Sequence, residues 1–317
     1  MFARYISGRV LQAVLVLWAA YTVTFVVLYL LPSDPVQLLL AAGNIDVTQI
    51  SPDQLAALKH QYGVDQPVYL QYVNQLFEFV RGNFGESITK NVPVAQLLAQ
   101  RLPSTLVLGA SAVLLTIVLG VGTASLAVFA KVGWLRTVLS RLPAIGVSLP
   151  PFFVGLLLIQ VFAFQLKWFP ASGDSGAASV VLPAVMMAIP TAALLAQVLT
   201  RSLEDALDEP YVVTARAKGL SRSGIQWRHA FRNAALPALT LLGLLLGSAL
   251  AEAVVAETIF TRNGIGKLAQ ESVLQQDVPV VQAIVVIAAA LFVSINLIID
   301  LIYPLLDPRI VRGHSVI

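Results

Sequence analysis

Long apolar runs separated by short polar ones dominate this 317-residue chain. Crossing the hydrocarbon of a bilayer takes about 20 apolar residues of helix. Windows of that length fall near Val10–Leu31, Ser104–Ala130, Val138–Leu166, Val180–Thr200, Leu236–Ala256 and Val280–Leu305. They predict six transmembrane helices, an even number that puts both termini on one side. The first window is too long for a signal-peptide core and no small-residue cleavage site follows it, so it is expected to stay as an anchor. Between the first two windows the pattern changes. Ser51-Pro52-Asp53-Gln54 reads as a capping box with proline at the first helical position, opening a helix that Gly63 ends. Tyr69, Tyr72, Val73, Leu76, Phe77 and Val80 then recur at helical spacing, and their apolar face is expected to pack on the chain's own spans. The expected division is an anchor span over 1–32, an extracytoplasmic helical segment over 33–103 and a core domain over 104–317 that contains a polar loop at 201–236.

Composition and charge narrow the class. Hydrophobic residues make up 57% of the chain and charged residues 12%, with a mean hydropathy of +0.81, which excludes an ordinary soluble domain. The net charge of +3 is spread over short loops, so no nucleic-acid surface is indicated. Arg4 and Arg9 precede the first window; Lys131, Arg136 and Arg141 follow the second. Six Lys or Arg residues lie from Arg201 to Arg232, and Arg309 and Arg312 close the chain. Lys and Arg accumulate in cytoplasmic loops, so both termini and these loops are expected in the cytoplasm and 33–103 outside. The absence of cysteine excludes disulfides and thiolate metal sites. His60, His229 and His314 lack ligand spacing, and no Gly-x-x-x-x-Gly-Lys-Ser/Thr loop is present. No catalytic residue, metal site or cofactor is therefore expected on this chain.

Irregular and ionisable positions inside the windows supply candidates. Pro143, Gly146, Pro150 and Pro151 interrupt the third window, and Pro183 and Pro190 the fourth. Each proline frees a carbonyl that lipid cannot satisfy, so kinks shielded by protein or water are expected. Pro150, Pro151 and Pro190 are candidates for a hinge or lumen wall, with packing accommodation as the alternative. Glu252 and Glu257 stand toward the outer end of the fifth window, and Asp300 toward the inner end of the sixth. A carboxylate at membrane depth is costly and tends to face protein or water, which makes both glutamates gate or lumen candidates; Asp300 can pair with a loop base. Gly243, Gly247 and Ala251, and more weakly Gly120 with Ala124, form small-residue stripes that permit close helix approach.

The 27-residue stretch from Tyr211 to Pro237, YVVTARAKGLSRSGIQWRHAFRNAALP, is the most informative. Thr214 to Leu220 favours helix and is broken at Gly219. Ser221 can then cap a second helix that presents Ile225 and Trp227 beside Arg222 and Arg228. This stretch resembles the EAA loop of ABC importer permeases, in the form carried by the dipeptide, oligopeptide and nickel family (TARAKGLS, RHAFRNAALP), of the dipeptide B type. RGNFGES (Arg81–Ser87), FPASG (Phe169–Gly173) and LLDPRI extend the likeness over essentially the whole chain. Val213 and Thr214 stand where the general pattern has glutamate and alanine, and Gly219 lies 18 positions before Pro237; both departures fit the peptide branch. The resemblance implies an all-α membrane protein of the type I ABC importer permease fold. It implies that Thr214, Ala215, Arg216, Ala217, Lys218, Gly219, Leu220 and Ser221 form a coupling segment that fits a cleft in a separate ATPase subunit. The partners implied are a homologous second permease, two ATPase subunits that bind ATP and Mg, and an extracytoplasmic binding protein. Dipeptides or short oligopeptides would be the substrate, carried across a bacterial cytoplasmic membrane. Nickel is the alternative substrate within the family. The alternative class is a proton-coupled secondary transporter using Glu252, Glu257 or Asp300, which would leave the basic loop without a task.

Overall fold

The computed structural model describes residues 2–30, 51 and 66–306. The helix expected after Ser51 lies outside them. In chain order the helices are α1 (Phe2–Leu30), α2 (Val68–Val80), α3 (Val94–Phe129), α4 (Gly133–Ser148) and α5 (Pro151–Leu158), which continues as a π-helix over Ile159–Gln165. Then follow α6 (Ala178–Asp208), α7 (Pro210–Ala217), α8 (Arg222–Ile225) with a π turn over Gln226–Ala230, α9 (Phe231–Ile259), α10 (Ile265–Leu274) and α11 (Val278–Leu306). Among the described residues five of these are long and apolar enough to cross a membrane, or six if α4 and α5, bent by 103° to each other, count as one span. The bend falls at Leu149 and Pro150, both in extended backbone. Two successive prolines explain it: each pushes the residue before it out of the helical region, while Pro151 suits the first position of α5.

The fourth span departs from expectation, because α6 runs unbroken through both Pro183 and Pro190. Proline removes the amide that would serve the carbonyl four residues back, and for Pro183 that carbonyl belongs to Ser179. Arg262 Nη1 donates to it at 3.1 Å, so the helix tolerates the loss. α6 also overruns its predicted end, reaching Asp208. Pro210 holds Glu209 extended (φ −68°, ψ 146°), so the first turns of the polar stretch from Arg201 belong to α6 and its last residues, from Phe231, to α9.

The chain divides into two compact units. One is built around Ser104–Gly266 together with α11 from Ser294 on, the other from Ala3–Pro103 and Lys267–Val293. In the first, α6 is central. Leu182, Met186 and Met187 pack with Leu108, Ala112, Ala253, Ala256 and Phe260, and Leu195, Leu199 and Leu203 with Ala124, Val128, Ala230, Ala234 and Ala238. Within lipid there is no water to expel, so helix association rests on close van der Waals contact; the alanine-rich partner faces permit it. A methyl added at Gly146 would sit 2.8 Å from Ala193 Cβ, and one at Gly120 2.7 Å from Leu195 Cδ2. Gly243 lies against Ile299. In the other unit α2 meets α1 through part of the face its spacing predicts: the Tyr72 ring lies 5.6 Å from Tyr21 and 5.3 Å from Phe25, and its hydroxyl 2.8 Å from Thr22 Oγ1, whereas Tyr69, Val73, Phe77 and Val80 of that face are exposed. The same unit holds a buried carboxylate, Asp277, which accepts from the hydroxyls of Ser87 and Thr89 and from the amides of Ile88 and Thr89. Nearby, Lys90 pairs with Glu271 at 3.1 Å.

Candidate functional site

The polar segment folds as two short helices on an apolar seat. Val212, Ala215 and Ile225 are buried together, with Leu207, Tyr211 and Leu220 against them. α7 ends where Gly219 adopts φ +79°. Its amide donates to Arg216 O at 2.9 Å and that of Leu220 to Ala215 O at 3.2 Å. This pair of bonds closes the helix on a left-handed residue, and glycine adopts that conformation without the Cβ penalty. Ser221 then caps α8, its hydroxyl accepting from the Gly224 amide at 3.2 Å, as predicted. The predicted presentation of Ile225 beside Trp227 fails: Ile225 is buried and Trp227 exposed, because a four-residue helix follows the apolar seat below it and not its own periodicity. The outward face of α7 and its turn carries Val213, Thr214, Arg216, Ala217, Lys218 and Gly219. Beside it runs a polar groove of about 480 Å³ lined by Arg136, Glu204, Asp205, Asp208, Arg216 and Gln226. Arg136 and Glu204 pair at 3.0 Å, both half-exposed, so the pair contributes at most about 1 kcal/mol.

At the other end of α9 the chain turns around Glu257, which is 0% exposed. Thr105 Oγ1 donates to its Oε1 at 2.6 Å and accepts from the Ile265 amide at 2.8 Å, so one hydroxyl ties α3, α9 and the start of α10 together. A Cβ at Gly264 would overlap the carboxylate, and one at Gly266 would stand 2.5 Å from Val254 Cα. The glycines are thus required by space. Arg262, 3% exposed, donates to Ser179 O and Oγ and to Ser104 Oγ, each at 3.1 Å, and pairs with Asp174 at 3.2 Å. Asp174 also accepts from the Asn263 amide at 2.6 Å. The result is a closed polar knot at the end of the bundle.

Glu252, one and a half turns earlier on α9, lines a separate cavity of about 30 Å³ with Thr116, Met187, Thr191, Leu246 and Ala249. The hydroxyls of Thr116 and Thr191 lie 2.9 Å apart there. Among the described residues, no group of three or more His, Cys, Asp or Glu is placed to hold a metal ion.

Comparison with known proteins decides the family. The profile of the binding-protein-dependent transport system inner membrane component matches residues 96–312, and that of the N-terminal region of such membrane components matches residues 1–109. This chain belongs to that family of ABC transporter permeases. The permease is 34% identical to a probable peptide ABC transporter permease protein of Sinorhizobium fredii, covering 96% of this chain and 98% of that one. It is 33% identical to a putative peptide transport system permease protein of Brucella melitensis, over 98% and 99% of the two chains. It is 32% identical to the glutathione transport system permease protein GsiC of Escherichia coli, over 96% and 98%. Among solved structures, an amino acid ABC transporter superposes with a TM-score of 0.52 at 19% identity, covering 65% of this chain and 92% of that one. The methionine transporter MetNI gives 0.51 at 18%, covering 67% and 97%. At those identities the likeness is one of fold, the type I importer permease fold.

In this permease, then, the coupling-segment candidates are contiguous on α7 and its turn, with Thr214, Arg216, Ala217, Lys218, Gly219 and Ser221 exposed and Ala215 and Leu220 in the apolar seat beneath. The gate candidates do not form one site. Pro150 and Pro151 make the bend between α4 and α5, Pro190 lies within α6, Glu257 is enclosed by its turn and Glu252 lines a cavity of its own. Sequence reasoning assigned no role to Arg262, Thr105 or Ser179. A signal existed: Pro183 frees the Ser179 carbonyl, and an arginine in a short turn between apolar helices is a donor able to reach it.

Proposed function

We propose that this permease is one half of the translocation pore of an ATP-driven, binding-protein-dependent importer of dipeptides or short oligopeptides, and that its coupling segment is Glu209–Ala230. The supporting observation is the construction of that segment. Val212 and Ala215 anchor α7 from below, while Val213, Thr214, Arg216, Ala217 and Lys218 face outward beside a sharp glycine-dependent turn. A partner that grips such a face moves α7, and through the buried seat moves the C-terminal end of α6 and the start of α9. ATP and Mg are held by two ATPase subunits, which close on nucleotide and drive the pore between inward and outward states. Nucleotide can shift that equilibrium because it binds one state better than the other. The names of the relatives, two for peptides and one for the tripeptide glutathione, favour peptide over nickel. The mostly aliphatic make-up of the described spans supports a reading in which the binding protein sets selectivity.

In the proposed topology both termini, Lys131 and Arg222 face the cytoplasm of a bacterial inner membrane, and Asp174 faces outward. Single cysteines at Arg4, Lys131, Arg222 and Asp174 test it in this cysteine-free chain; a reversed labelling pattern rejects it. The function is tested in vesicles containing the second permease, the ATPases and the binding protein. Uptake of diverse short peptides is expected to require ATP and the binding protein, and to be lost in Gly219→Trp while the permease still inserts. Nickel uptake without peptide uptake overturns the substrate. Proton-driven uptake by this chain alone overturns the class.

A further inference from the structure

α6 ends on charges that its own helix disfavours. Its last five residues, Glu204 to Asp208, include three carboxylates and no basic residue, at the end where unbonded carbonyls already carry partial negative charge. Glu204 is neutralised by Arg136 at 3.0 Å. Among the described residues Asp205 and Asp208 have no ion pair, and at a spacing of three they repel each other along the helix surface. All three carboxylates line the polar groove of about 480 Å³ beside α7, together with Arg136 and Arg216. Three carboxylates against two guanidinium groups leave the groove with one negative charge in excess.

A second observation lies in the floor of the same groove. Gln226 is 1% exposed, and its Nε2 is closed to solvent with no hydrogen-bond partner among the described residues. Buried amide donors are ordinarily paired. No side-chain bond among those residues holds this amide away from the groove that it lines. Folding alone explains neither feature, because carboxylates at a helix C-terminus and an unpaired buried donor both cost stability. One visitor that brings a cation and a hydrogen-bond acceptor satisfies both.

Arg216 belongs both to the groove and to the outward face of α7, so a partner seated on that face covers the groove too. We propose that the groove is a socket for the ATPase subunit, which places in it a lysine or arginine side chain beside an uncovered main-chain carbonyl. The cation pairs with Asp205 and Asp208, and the carbonyl accepts from the Gln226 amide. The excess negative charge argues against a phosphate or an anionic headgroup as the occupant. This proposal rests on the reading of α7 as the coupling segment. It adds a second grip, on the end of α6 itself, so that the ATPase pulls on that helix directly as well as through the seat beneath α7.

The test measures association of the purified ATPase subunits with the two permeases in nanodiscs over a range of salt. Asp205→Asn combined with Asp208→Asn is expected to weaken association about tenfold at about 0.05 M NaCl, and the difference from the native permease is expected to shrink as salt screens the native contact. Gln226→Leu removes no charge. It is expected to weaken association about tenfold at every salt concentration, while the thermal midpoint of the permeases alone holds or rises because a buried unpaired donor is gone. A merely structural glutamine would lower that midpoint. Native affinity in the aspartate double variant at low salt overturns the proposal, and so does a Gln226→Leu permease that binds normally or is thermally destabilised. Gly219→Trp keeps the two readings apart. If it loses association while the aspartate and glutamine variants keep it, the coupling segment stands and the socket falls; if the native permeases bind no ATPase, both fall.

Discussion

Substituting Arg262 by methionine tests how a proline-bearing transmembrane helix is kept intact. The change removes donors to Ser179 O, Ser179 Oγ and Ser104 Oγ and the pairing with Asp174. Breaking a buried ion pair costs about 3–5 kcal/mol. Asp174 is 28% exposed in its side chain and recovers water, so the lower end, about 3 kcal/mol, applies. Part of that loss is separable. The Ser179 carbonyl has no helical donor because Pro183 stands four residues on, and a buried acceptor left unsatisfied costs about 1–3 kcal/mol. Alanine at 183 supplies the missing amide. Pro183→Ala is therefore expected to recover at least about 1 kcal/mol more in the Arg262→Met background than in the native one, and the double-mutant cycle cancels the general helical preference for alanine. Thermal denaturation of the four purified forms in detergent reads this directly, at about 2–4 °C per kcal/mol for a chain of a few hundred residues. Additive effects of the two substitutions would refute the reasoning.

Three further outcomes follow from the same kind of geometry. At Gly219 the space around an added Cβ is open and φ is +79°, so conformation alone limits substitution: Gly219→Ala should strain the turn by about 1–2 kcal/mol and reduce ATPase co-purification, whereas Gly219→Asn should retain most of it. Asp277→Ala leaves four donors without their acceptor and should expose 66–93 to protease, with Asp277→Asn intermediate because its amide oxygen still accepts. Gly266→Ala would press on the Val254 backbone and should abolish folded yield, while a Cβ at Gly122 meets nothing within 4 Å and Gly122→Ala should cost little; equal yields would show that the turn yields more readily than its packing implies.

The spans were legible because apolar length is a property of composition alone, and the break at Pro150-Pro151 because two adjacent prolines leave the backbone no helical choice. Pro183 misled for a complementary reason. Whether a freed carbonyl breaks a helix depends on a donor elsewhere, and Arg262 lies 83 residues away. The glycine turn and the Ser221 cap were readable, since both are local bonds. The orientation of Ile225 was not, because Val212 and Ala215 on the preceding helix decide it. Arg262 escaped notice because an arginine in a turn ordinarily faces water, and nothing in its neighbours announces that Asp174, Ser104 and Ser179 converge on it.

The two glutamates of α9 show why a membrane carboxylate does not define its own role. Glu257 is fully buried and Glu252 only partly so, and the fold surrounds each differently. At Glu257 the side chain is enclosed by Thr105 and by a turn whose glycines leave room for nothing else. For it to attract a substrate's amino group, the turn would first have to open and release the Thr105 bond, so this side chain serves the closure of the bundle end. Glu252 borders a cavity of about 30 Å³ that Thr116 and Thr191 also line, room for water and for little else. Nothing the size of a peptide passes there in this conformation. A path that uses Glu252 therefore requires α9 to move away from α3 and α6, and the bend between α4 and α5 and the seat beneath α7 are among the places where this fold interrupts its helices.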